Sequence, residues 1–342
     1  MNTKSTFYII FLSIVSATAF SCWQKPCTES VGVGAQVGLI SWNDRIRSAF
    51  YTEPEILFER EMLYNRYTLP DTFDFRGRPR FFQWDKIEAG LRLLDSVTTW
   101  KPGRWAVIQN KNNRNGAAPY VKSWRRNAME NVVDMFGVER YQSAPLYLPD
   151  AHELPARYGR DGWLVKVLED MEDGDTVCIN PLFIGGRYDV PKRYLCMTPD
   201  TMRFHKAIFI DRCHQIIVTL EKRGKVWNVL SMNPATTGVN APPYKMPTPL
   251  GIFMVQETRD KMPYLKDGTD ELDGFAPFAS RFCCGAYIHG VPVALPDTNV
   301  VEYSSSLGTT PRSHMCVRVA SSHAEFIYNW ATVLGTVVFV IE

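Results

Sequence analysis

Apolar positions fall into two periods along this chain, and the main change comes at Val138. Near the N-terminal side the spacing is helical. Pro54 sits where a first helical turn begins, with Glu53 and Glu55 at the positive end, which predicts a helix over 54–66. Asp85 with Glu88 three residues on resembles a capping box, and Ile87, Leu91 and Leu94 follow on one face. A short strand is predicted around Trp105 to Gln109, closed by the turn formers of Asn110 to Gly116. A further helix fits Tyr120 to Phe136, with Val121, Trp124, Ala128, Val132 and Phe136 in line.

From Val138 the period shortens to that of strands. Gly162 to Leu168, Asp175 to Ile179 and Tyr188 to Tyr194 alternate between turn signals, which suggests a small barrel over 138–200. Three further strands are predicted at Lys206 to Ile210, Gln215 to Glu221 and Val226 to Ser231, a meander that opens another domain. Gly335 to Ile341 reads as a closing strand, and His323, Phe326, Ile327 and Trp330 share a helix face before it. The fold class expected is mainly β, with a short α-rich region ahead of it.

Composition narrows the setting. At 342 residues the chain has room for two or three domains. Its 38 Lys+Arg against 36 Asp+Glu create no field that would draw nucleic acid, and the arginines between Phe73 and Phe82 read as a packed loop. Lys4 precedes an apolar run from Phe7 to Phe20 that is shorter than the ~20 residues a membrane span needs. That is the layout of a signal peptide over 1–21. Ala19-Phe20-Ser21-Cys22 resembles a loose lipoprotein processing site in which a lipidated Cys22 would anchor the protein to a membrane; plain cleavage nearby is the other reading. Export places the eight cysteines in a disulfide-permissive compartment. Setting aside Cys22 and Cys316, spacing does not assign pairs among Cys27, Cys178, Cys196, Cys213, Cys283 and Cys284. Cys283 and Cys284 on one strand would point to opposite faces. No Cys-x-x-Cys pair suggests zinc.

The candidate chemistry lies in two strings, Tyr287-Ile288-His289-Gly290 and Ser313-His314-Met315-Cys316-Val317-Arg318. A thiol attacks as its thiolate, so it needs a base or a charge-stabilising neighbourhood. The first string offers an imidazole on an apolar segment, the second a thiol flanked by His314 and Arg318.

These strings resemble the L,D-transpeptidase (YkuD-type) catalytic domain, which shows a His-Gly and then Ser/Thr-His-Gly-Cys followed by an apolar residue and Arg or Asn. Thr248-Pro249-Leu250-Gly251-Ile252-Phe253 matches its Thr-Pro-x-Gly-x-Phe, Thr237-Gly238 its Thr-Gly, and Gly335 to Ile341 its last strand. The resemblance runs from about Arg203 to Glu342. It implies a β-sandwich catalytic domain over 203–342, behind a tether with a short helix (22–75), an α-rich module (76–137) and the barrel (138–200), which resembles bacterial Src-homology-type domains. Two departures stand out. Met315 replaces the glycine before the nucleophile, and the His-to-Cys separation of 27 residues (316 − 289) is long, the extra residues falling in a loop insertion over Pro292 to Arg312.

The resemblance implies roles. Cys316 is the nucleophile and His289 the proton donor and acceptor, oriented by the Gly290 carbonyl, with Met315 and Cys316 N–H as the oxyanion hole. His314 and Ser313 support the loop, Arg318 meets a substrate carboxylate or makes a structural ion pair, and Tyr287 lines the pocket or packs. It implies a peptidoglycan stem peptide as substrate, release of D-alanine, an amine acceptor giving a 3→3 cross-link or protein attachment, no cofactor or metal, acylation of the cysteine by carbapenems, and a place in the cell envelope, the periplasm. A carboxypeptidase or cross-link hydrolase using the same site, and a non-catalytic cell-wall-binding protein, are the alternatives.

Overall fold

The structure is a computed structural model and describes residues 55–99, 103–168, 174–200 and 202–342. The signal peptide, Cys22, Cys27 and most of the tether lie outside the described residues.

The chain runs through β1 (Leu57–Arg60), β2 (Thr72–Phe75), β3 (Arg78–Phe81), helix α1 (Trp84–Thr99) and β4 (Arg104–Ile108). Next come β5 (Arg125–Arg126), β6 (Val132–Val133), β7 (Ser143–Leu146), β8 (Arg157–Arg160), β9 (Leu164–Val167), β10 (Thr176–Pro181), β11 (Tyr188–Pro191) and β12 (Leu195–Met197). The C-terminal part holds β13 (Lys206–Asp211), β14 (Ile216–Arg223), β15 (Val226–Pro234), β16 (Gly251–Met254), β17 (Glu257–Leu265) and β18 (Leu272–Cys283). It ends with β19 (Ala286–His289), β20 (Val293–Ala294), β21 (Val317–Arg318), α2 (Ser321–Trp330) and β22 (Thr336–Ile341).

One sheet has the order β1-β15-β14-β13-β22-β16, and a second has β17-β18-β19-β21 with β20 on β18. The predicted meander and closing strand all appear here. β22 is Thr-Val-Val-Phe-Val-Ile and buried at every position, because alternation sends its side chains into two different cores. Val338 and Val340, with Ile208 and Ile210, face the second sheet and α2 through Ile288, Val317, Ala324 and Ile327. Val337 and Phe339, with Phe209, Val218 and Trp227, face α1 through Ile87, Leu91 and Leu94. The apolar face read from Asp85 onward is therefore the face of α1 that covers the first sheet.

Two expected helices are absent. Where a helix is expected over 54–66, Leu57–Arg60 instead forms β1, pairing in parallel with β15. Of the described residues of that stretch only Ile56 and Tyr64 are buried, too few for a helical face, while the open edge of β15 supplies acceptors at Val229 and Leu230 for the N–H groups of Glu61, Met62 and Tyr64. The local end-charge signal loses to that edge. Over Tyr120 to Phe136 the chain turns repeatedly. Asn127 Oδ1 accepts from the N–H of Met129 and Asn131, and Asp134 Oδ1 from Phe136 and Val138, so the side chains take the donors a helix would use. Trp124 and Phe136, placed on the apolar face, are exposed. The α-rich module is thus one helix followed by turns and strands.

The strands expected as a barrel over 138–200 join a five-stranded sheet, β11-β10-β9-β4-β12, whose β4 comes from 104–108. Among the described residues that sheet runs open from β11 to β12 without closing, and a bridge between Tyr147 and Asp189 attaches the β7–β8 hairpin at its β11 end. Its core is continuous with the one beneath β19 and β21. The insertion over Pro292 to Arg312 is turn-rich, as its composition implies, and Arg80 of β3 donates to the Gly308 and Thr309 carbonyls. Cys213 is disulfide-bonded, while Cys196, Cys283, Cys284 and Cys316 are free thiols.

Candidate active site

β19 and β21 bring the two strings together. They pair in parallel, with Ile288 beside Val317 and His289 beside Arg318. Side chains alternate along a strand, so Tyr287 and His289 share one face with Arg318 and with Cys316, which leads into β21.

The loop before Cys316 is held from several sides. Thr236 and Arg318 exchange both backbone hydrogen bonds at 2.9 Å, and the Thr237 carbonyl accepts from Arg312 and Ser313. Ser313 Oγ donates to the Cys316 carbonyl, closing the turn. Thr248 Oγ1 donates to the Met315 carbonyl at 2.8 Å and accepts from Gly238 N–H at 2.9 Å. This is the work of the Thr-Gly and Thr-Pro strings, to which the sequence assigned no individual role. A Cβ on Gly238 would lie 2.7 Å from Met315 Cα and 2.3 Å from the Met246 carbonyl, so only glycine allows this approach. Met315 has φ +99°, a region that glycine occupies freely and an L side chain does not. The N–H groups of Met315 and Cys316 meet no acceptor among the described residues.

His289 is 3% exposed, and its Nδ1 lies 2.6 Å from the Gly290 carbonyl. A carbonyl accepts only, so Nδ1 carries the proton and Nε2 keeps its basic lone pair. Gly290 N–H donates to the Pro277 carbonyl, and a Cβ at Gly290 would fall 2.6 Å from Ser321 Oγ. Burial pushes the His289 pKa down to about 4, the Gly290 carbonyl opposes this, and the Arg318 charge adds to it. Burial raises the Cys316 thiol, against backbone donation from Tyr287 and the charge of Arg318. The resting pair is therefore a thiol and a neutral imidazole. The sulfur is half-buried and lies 3.5 Å from the Gly285 carbonyl, which accepts its S–H.

Other expected residues fall as follows. His314 Nε2 meets Asp267 Oδ1 at 2.7 Å, tying the loop to the turn of the β17–β18 hairpin. Arg318 is held below its usual range by burial, and its Nε is buried without a partner. Tyr287 is 4% exposed and its hydroxyl accepts from Lys111 Nζ at 2.9 Å, so the ring packs and its polar end belongs to a network.

That network was invisible in the sequence. Asp161, between β8 and β9, is fully buried and its carboxylate accepts from Arg281 at 2.8 Å, Gln256 at 3.1 Å, Cys284 N–H at 2.7 Å and Asn110 N–H at 2.8 Å. It fixes the β18–β19 turn, whose Gly285 carbonyl touches the nucleophile. Cys283 and Cys284 do not point apart as expected. β18 ends at Cys283, Cys284 turns with φ +44°, and the two buried sulfurs are 3.5 Å apart. Among the described residues no group of His, Cys, Asp and Glu is arranged to hold a metal ion.

Residues 205–340 match the family model of the L,D-transpeptidase catalytic domain (YkuD). Solved structures similar to the chain include an L,D-transpeptidase from Mycobacterium smegmatis, at 15% identity and TM-score 0.33 over 52% of this chain and 90% of that one. Another is an L,D-transpeptidase from Mycobacterium tuberculosis, at 18% identity and TM-score 0.32 over 54% and 92%. A third is a fused Zn-dependent amidase/peptidase/peptidoglycan-binding domain-containing protein from Clostridium acetobutylicum, at 20% identity and TM-score 0.29 over 40% of this chain; here the match spans about half, 51%, of the other protein. No curated protein matches the chain. Residues 205–340, which hold both strings and the strands that carry them, are thus the part of the chain that is similar to an L,D-transpeptidase catalytic domain.

Proposed function

We propose that the protein is a peptidoglycan L,D-transpeptidase of the cell envelope, with Cys316 as nucleophile and His289 as base. The observation that carries this reading is the hydrogen bond from His289 Nδ1 to the Gly290 carbonyl, which leaves Nε2 basic on the face shared with Cys316. Nε2 removes the Cys316 proton as sulfur attacks the carbonyl of the third residue of a tetrapeptide stem. The oxyanion forms against the N–H groups of Met315 and Cys316, whose loop is preset by Thr248, Gly238 and Ser313. The C–N bond to D-alanine then breaks, the imidazolium returns its proton to the leaving amine, and a thioester remains. An acceptor amine attacks the thioester, loses a proton to Nε2, and restores the thiol as the new amide forms. Arg318, with its unpartnered Nε, is the donor stem's carboxylate contact.

A thiol and neutral imidazole at rest fit general-base attack at the moment of substrate binding. The test is mass spectrometry of tetrapeptide-stem products from the purified protein. D-Alanine release with 3→3 dimers, and a carbapenem adduct absent in Cys316→Ser, are expected. Wild-type protein that gives neither would overturn the assignment. Release without dimers would leave water as the acceptor.

A further inference from the structure

A cleft of about 450 Å³ lies where the β8–β9 corner and the segment before β7 meet the nucleophile loop, and Met315 is part of its lining. Its lining reaches the nucleophile loop through Met315, the residue bonded to Cys316.

Three charged residues line the cleft: Arg160, Arg212 and Glu139. Arg160 is buried, and its nearest carboxylate, Glu139, is 3.9 Å away. Among the described residues, Arg212 pairs with Glu342 at 3.5 Å, a side chain 49% exposed. By contrast, Arg281 binds Asp161 at 2.8 Å. Both cleft guanidiniums therefore retain capacity for a close, bidentate anion. Trp163 adds an indole Nε1–H that is buried without a partner. Phe136, Leu250 and Met315 supply apolar surface. A methionine kept at φ +99°, where glycine would be relaxed, puts a side chain into this lining.

We propose that this cleft is a binding subsite for a short peptide with a free carboxylate, received by Arg160, Arg212 and the Trp163 indole, with small apolar groups against Phe136, Leu250 and Met315. The binding stands on the cleft alone; its purpose, holding a second peptide beside the thioester, rests on the proposed acyl transfer.

The test uses the full chain with Cys316→Ala, so that no chemistry is required, labelled with ¹³C at the methionine methyls. Met129, Met246 and Met315 line the cleft, whereas Met232 and Met254 are buried elsewhere and report on the fold. The probes are N-acetyl-D-alanyl-D-alanine, its C-terminal carboxamide, and N-acetyl-D-glutamyl-D-alaninamide. The first should shift the three cleft methyls and leave Met232 and Met254 unmoved, with the carboxamide bound roughly tenfold or more weakly. Binding of the third at a similar strength would assign the contact to a side-chain carboxylate instead of a terminal one. Arg212→Gln should weaken the acid about tenfold and Arg212→Lys less. Ala128→Trp at the exposed rim should abolish the shifts. Equal binding of acid and carboxamide, or shifts that survive Ala128→Trp, would overturn the proposal. Absence of stem-peptide turnover in the wild type, with these shifts present, would remove the transpeptidase reading and keep the subsite.

Discussion

The sulfur of Cys316 is approached by two turns that are stabilised in opposite ways. The nucleophile loop, Ser313 to Cys316, is held on its buried side by neutral groups, the hydroxyls of Ser313 and Thr248 and the backbone of Thr237, while its contact with a carboxylate, His314 to Asp267, is exposed to solvent. The β18–β19 turn, Cys283 to Ala286, is held by a buried carboxylate, Asp161, itself balanced by Arg281. Neutral clamps contribute about 1 kcal/mol each, and their loss is graded. A buried ion pair contributes little net stability while whole, but removing one partner strands a charge. One side of the site therefore tolerates change and the other does not.

Asp161→Ala should break the charged side outright. Arg281, 3% exposed, would lose its closest carboxylate and Cys284 N–H its acceptor. We expect a loss of about 3–5 kcal/mol in denaturant unfolding. A loss below about 1 kcal/mol would show that Glu257, 3.1 Å from Arg281 Nε, suffices by itself.

Acid tests the neutrality of the site. His289 has a folded pKa of about 4 against a reference of 6.5. The unfolded chain thus binds the proton more readily, so this stability is complete above pH ~6.5 and is lost as pH falls toward 4, by roughly 3 kcal/mol in full. His323, lowered to about 3 by burial alone, adds loss over the same window and below it. His289→Gln should flatten the first part of the unfolding-versus-pH curve. The low-pH limb of kcat/KM for the proposed reaction should sit near 4. A limb near 6.5 would mean that His289 is not held in this apolar setting when it acts.

The same contrast explains what the sequence could tell. Ser313 and Cys316 lie within one turn of each other, and the meander, closing strand and final helix follow local periodicity, so that half was legible. Asp161 is 123 residues from Cys284, and no period or motif connects them. The β1 segment carried a helix-like start and was captured by a sheet edge supplied 169 residues later (226 − 57), at Val226 to Val229. Tyr120 to Phe136 carried a helical stripe, yet Asn127 and Asp134 took its backbone donors, an outcome set by side-chain chemistry that periodicity ignores.

On the neutral side, Thr248→Val should remove the donor to the Met315 carbonyl and the acceptor for Gly238 N–H at almost constant volume. Two polar groups lose partners, so about 1–3 kcal/mol is expected in unfolding experiments, together with slower acylation of Cys316. Unchanged acylation with reduced stability would show that Thr248 holds the loop without setting the oxyanion donors.

Met315→Gly gives the smallest shift and the finest distinction. Glycine relieves a side chain held at φ +99°, a gain of about 1–2 kcal/mol for an L residue in this region. It also frees the unfolded chain, which returns about 0.4–1 kcal/mol. A net stabilisation of about 0.5–1 kcal/mol is expected if backbone strain dominates. Met315 also packs against the core beneath the sheets, and losing that contact acts the other way. A destabilised Met315→Gly protein would therefore place the weight on side-chain packing. The neutral loop would then be held at Met315 by burial, as the charged turn is held by its ion pair, and would tolerate change no better than that turn.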